Sequence, residues 1–101
     1  MKNSLLIAIV TEDSSDTAIT IAEREGIKGV TRLPASGISS LPTRTFFGLT
    51  FQESMATLLW IAPTEVANRA AKALSKEMKL ESPRQGLALT LNIDQLHGID
   101  L

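Results

Sequence analysis

Leu5-Leu6-Ile7-Ala8-Ile9-Val10 is an unbroken apolar run rich in β-branched residues, the pattern of a strand buried on both faces. Thr11 to Asp16 follows with several N-cap residue types and with acids that suit the positive end of a helix dipole. Ala18, Ile19, Ile21 and Ala22 then make a helical apolar stripe, and Gly26 stands where a left-handed C-terminal cap belongs. These signals predict a strand over 5–10 and a helix from Ser15 to Glu25. Ile27 to Leu33 alternates enough for a second strand, which Pro34 should stop or push to an edge. From Ala35 to Ser54 no period is sustained, and the segment reads as one long loop.

The second half repeats this order. Met55 to Ala62 is a strongly apolar strand holding the sole tryptophan, Trp60. Pro63-Thr64-Glu65 opens a helix on which Val66, Ala70 and Leu74 recur at four-residue spacing, with Arg69, Lys72 and Lys76 facing outward. Glu81 to Gln85 is a turn, and Leu87, Leu89, Leu91 and Ile93 alternate with Ala88, Thr90 and Asn92 in a last strand. The order β-α-β, loop, β-α-β predicts an α+β, ferredoxin-like domain over the whole of 1–101, with an antiparallel sheet and two helices on one face. The first and third strands are nevertheless apolar on both faces, so a single copy would leave a wide hydrophobic face bare. Self-association in a closed ring covers it, and a dimer or a trimer does so equally well.

Composition narrows the chemistry. A formal charge of −1, from 10 Lys+Arg against 11 Asp+Glu, leaves no basic stripe for nucleic acid. The absence of cysteine removes disulfides, thiolate metal sites and thiol nucleophiles. One histidine, His97, cannot hold a metal unaided. The apolar run over 5–10 is too short to span a bilayer, and the expectation is a soluble, cytoplasmic protein. No phosphate-binding Walker loop, nucleophile elbow or paired-carboxylate motif is present, so no catalytic residue is assigned.

Glu25-Gly26-Ile27-Lys28-Gly29-Val30-Thr31 resembles the A-G-x-x-G-x-T segment of the nitrogen regulatory protein P-II and its P-II-like relatives. Gly37 stands where that family has a glycine opening its mobile loop, and Gly86 and Ile93-Asp94 fall near its later glycine and Val-Glu positions. The resemblance covers nearly the whole chain. It implies a homotrimeric, non-enzymatic sensor of a small-molecule effector, such as ATP, ADP or AMP, bound in clefts between subunits. It further implies a loop that engages a target, such as a membrane transporter or metabolic enzyme. On this resemblance the ligand-binding positions are Thr31, Gly37, Arg84 and Gly86. By residue type alone Thr31 reads as a strand residue, Gly37 as a turn residue and Arg84-Gln85-Gly86 as a solvated turn. Phe46, Phe47 and Phe51 would be the partner-binding aromatics of the loop, or would pack on the domain itself.

Departures from the family pattern are specific. Leu87 stands where the family's phosphate lysine does, leaving Arg84 as the available phosphate partner. The C-terminal R-x-R segment is replaced by His97-Gly98-Ile99-Asp100-Leu101, no tyrosine is available for uridylylation, and the glutamine associated with 2-oxoglutarate is not identifiable. Two other classes share the architecture: a dimeric cofactor-free monooxygenase, with its pocket between sheet and helices, and a CutA-like trimer. Acylphosphatase chemistry is disfavoured because Glu12-Asp13-Ser14-Ser15, where its arginine loop would lie, is acidic.

Overall fold

The computed structural model describes residues 2–35, 45–46, 49–50, 55–80 and 86–99. Strand β1 spans Asn3–Thr11, helix α1 Ser15–Arg24, strand β2 Thr31–Ala35, strands β3 and β4 Thr45–Phe46 and Leu49–Thr50, strand β5 Met55–Pro63, helix α2 Thr64–Glu77 and strand β6 Leu87–Ile93. The main sheet is four-stranded in the order β2-β5-β1-β6, with every neighbouring pair antiparallel. This is the ferredoxin-like α+β arrangement predicted from the pattern.

Burial alternates strictly along β1, where Ser4, Leu6, Ala8 and Val10 are buried and their neighbours only half-buried. The register places Leu6 opposite Trp60 and Ala8 opposite Leu58, so one sheet face carries all these groups under the helices. Ala18, Ile21 and Ala22 of α1 and Ala67, Ala70 and Leu74 of α2 close this layer. Trp60 at 1% exposure fills its centre.

Where buried polar groups enter the layer they are paired. Ser4 Oγ shares a 2.9 Å hydrogen bond with Thr64 Oγ1 and lies 3.3 Å from Asn92 Oδ1, joining β1, α2 and β6. Ser15 Oγ donates to the Glu12 carbonyl (2.8 Å) and accepts from Arg32 Nη1 (3.1 Å), which also reaches Asp16.

Among the described residues, no helix lies against the other sheet face. Leu5 lies between Ile61 and Leu91, and Ile7 between Leu59 and Leu89. Leu33, Leu89 and Leu91 remain 45, 39 and 53% exposed, well above what a core position shows.

Two boundaries differ from the sequence expectation. The Gly26 cap forms as expected: Gly26 takes φ +109°, its N–H donates to Glu23 (3.0 Å), and the Ile27 N–H donates to Ala22 (3.1 Å). This Schellman turn points Ile27 into the core, so Ile27 to Val30 is a connector and β2 begins only at Thr31. Pro34 does not stop β2 but lies inside it, which an edge strand permits because a residue with no N–H need not bridge two neighbours. Within the segment expected as one loop, β3 and β4 pair as a short ladder. At the start of α1, Ser14 occupies the cap position without a capping bond; its hydroxyl instead accepts from Thr11 (2.8 Å).

Candidate functional site

The Schellman turn after α1 sets the path of the residues that follow it. With Ile27 held inward at 3% exposure, Lys28, Gly29 and Val30 run along the outside of the sheet edge before Thr31 pairs with Leu59. An open cleft of about 710 Å³ lies against this connector. Gly26 to Thr31 form one wall, Leu59 and Ile61 come from the uncovered sheet face, Ala62 and Pro63 lead into α2, and Ile99 reaches in from beyond β6. Thr31 is in register with Leu59, which places its side chain on the uncovered face, where the cleft opens.

The lining is mostly aliphatic, with a small polar set. Thr31 contributes a hydroxyl and Lys28 the sole charged side chain of the described lining. Among the described residues, the N–H groups of Lys28, Gly29 and Val30 donate to no backbone carbonyl. An apolar trough with donors along one wall suits a flat, partly apolar ligand whose edge carries acceptors. Behind the wall, Arg69 of α2 donates to the Glu25 carbonyl (2.8 Å) and pairs with the Glu25 carboxylate (3.3 Å), anchoring the helix end from which the connector departs.

Gly86 stands at the opposite sheet edge. Its φ is +124°, and a Cβ there would lie 2.4 Å from the Ile9 carbonyl oxygen, so only glycine fits where the chain enters β6. β2 and β6 are the two edge strands, three strand spacings apart, roughly 14 Å. Thr31 and Gly86 therefore do not meet within one copy. Gly37, Arg84, Phe47 and Phe51 lie outside the described residues, while Phe46 belongs to β3. Lys28 and Ile99 also line the cleft, and neither is among the positions the sequence assigns to a ligand. Lys28 lies inside the segment Glu25–Thr31 that carried the resemblance and could have been found there; Ile99 had no sequence signal.

Among the described residues no helix is long and apolar enough to cross a membrane, and no cluster of acidic or histidine side chains could hold a metal ion. The layer between sheet and helices, where a monooxygenase pocket would lie, is filled by Leu6, Leu58, Trp60 and Leu74.

The fold defined by these elements is that of the P-II-like signalling proteins, as solved structures show. The apo form of CPII from Thiomonas intermedia K12, a nitrogen regulatory PII-like protein, matches with a TM-score of 0.70 at 17% identity, over 92% of this chain and 90% of that one. A candidate PII-like signalling protein of Thermus thermophilus matches with a TM-score of 0.69 at 22% identity, over 92% and 88%. The GlnK–ATP complex of B. subtilis matches with a TM-score of 0.69 at 9% identity, over 91% and 82%. CPII has also been solved with ADP and bicarbonate bound. No protein-family model matches the chain, and no curated protein matches it.

Proposed function

We propose that this chain is a divergent P-II-like regulator: a single-domain, non-enzymatic, cytoplasmic homotrimer that binds an adenine nucleotide between subunits and controls a partner protein through the segment between β2 and β5. The observation that carries this reading is the position of the cleft. It opens at the rim of an uncovered apolar sheet face, so the surface that calls for a second copy also borders the space a ligand would fill. Thr31 and Gly86, on opposite edges of one sheet, serve one ligand only if β2 of one copy lies beside β6 of the next. The adenine ring would lie on the aliphatic trough with its edge against the Thr31 hydroxyl and the connector amides, leaving Lys28 as a cation for the phosphates.

A bound effector can act on a partner only through different affinities for two states of the segment following β2. Isothermal titration with AMP, ADP, ATP and cyclic AMP tests the reading. Saturable binding of at least one is expected, and Thr31→Val, which keeps the shape of the side chain and removes one hydrogen bond, weakens it about tenfold. Silence with all four removes the nucleotide reading.

A further inference from the structure

We infer that the segment after β6 is a built-in competitor for the cleft, with Ile99 as its displaceable apolar plug. β6 ends at Ile93, level with Asn3 and Pro63, and the chain from Asp94 to Ile99 has no regular structure. Leu96 is half-buried while Asp94, Gln95 and His97 are exposed, so the segment is held by few contacts. Gly98 then takes φ +99°, and a Cβ placed there would meet nothing within 4 Å. The conformation is therefore set by the turn of the chain and not by crowding, and the residue delivered by that turn is Ile99, which lines the cleft beside Leu59, Ile61 and the connector.

Ile99 keeps 51% of its surface in water, and about half is covered by the rest of the chain at the edge of the cleft. A ligand that lays an apolar ring on Leu59 and Ile61 needs that same surface. Entry of the ligand then releases the segment, and the apparent affinity is reduced by the fraction of time the plug is seated. For half of one isoleucine the reduction is about fivefold. This device rests on the nucleotide reading above and adds a sign to it: the segment opposes binding instead of clasping the ligand.

Methyl NMR and ADP titration together decide it. Cross-relaxation between Ile99 and the Leu59 or Ile61 methyls is expected in the ligand-free protein and is lost on saturation with ADP. Ile99→Ser is expected to bind ADP about fivefold more tightly than the unmodified chain. Gly98→Val, which keeps Ile99 but disfavours the turn, should shift affinity the same way. Missing cross-relaxation without ligand, its persistence under saturating ADP, or equal or weaker binding by Ile99→Ser overturns the plug while leaving the nucleotide site standing. ADP binding seen only in the variants supports it. If neither the unmodified chain nor either variant binds ADP, plug and nucleotide reading fall together.

Discussion

At the scale of single residues, two positions hold unusual backbone conformations for different reasons. Gly86 combines φ +124° with the Ile9 carbonyl 2.4 Å from a would-be Cβ, so conformation and space both exclude a side chain. Gly86→Ala is expected to cost about 3 kcal/mol, read as a lower urea midpoint at unchanged slope. Lys79 is the reverse case. It follows α2 at φ +54°, and the Leu80 N–H donates back to Ser75 (3.0 Å), which repeats at this helix end one bond of the turn Gly26 makes after α1. A lysine there strains the cap that glycine fits freely. Lys79→Gly should therefore raise stability by about 1 kcal/mol in the same measurement, although it deletes a charge near the helix C-terminus.

At the scale of elements, the two helices are tied by charge as well as by their buried faces. Arg24 of α1 donates to Glu77 of α2 through both terminal nitrogens, one bond measuring 2.9 Å, while its Nε pairs with Glu25 (3.2 Å). Hydrogen bonding from Arg24 holds the Glu77 carboxyl below its ordinary value near 4.5. A carboxyl depressed in the folded state adds stability above its unfolded value, and loses it as the pH falls through the folded value. Glu77→Gln should thus lower the melting temperature at pH 7, and the gap to the unmodified protein should close on acidification below about pH 4.5. Because both partners are exposed, the gap should also narrow in 1 M salt, with a Debye length of about 3 Å.

Elements were legible in the sequence where one physical signal dominated. β1, β5 and β6 showed themselves by alternation or by apolar runs, and α1 by its stripe and Gly26 cap, because burial and a required positive φ leave marks in the letters. β2 was misplaced by several residues. An edge strand with only one neighbour needs no continuous pattern, and the cap geometry that diverts Ile27 into the core depends on where α1 ends. For the site, Thr31 was legible through the segment it shares with a known family, whereas Ile99 was not. Its place in the cleft follows from the path of the chain after β6, a tertiary fact that no local spacing encodes.

At the scale of the whole molecule, the sheet carries the core on one face and leaves apolar side chains such as Leu89 and Leu91 exposed on the other. Leu91 is the clearest probe, since it lies on the uncovered face in register with Leu5 and Ile61 and is 53% exposed in a single copy. Exposed positions tolerate charge, so Leu91→Glu should change the stability of an isolated copy by less than about 0.5 kcal/mol. In an assembly the same carboxylate would be buried without a partner, at a cost that outweighs the apolar contact it replaces. Sedimentation of the unmodified protein at micromolar concentration should give the mass of three copies, and Leu91→Glu the mass of one. A monooxygenase-type dimer would show two copies instead. If the ligand site is built from β2 of one copy and β6 of the next, the monomeric variant should also lose ADP binding, although neither Thr31 nor Gly86 has been touched. Retained ADP affinity in a variant that sediments as a single copy would place the whole site within one chain, and unchanged mass in Leu91→Glu would show that the uncovered face is not where copies meet.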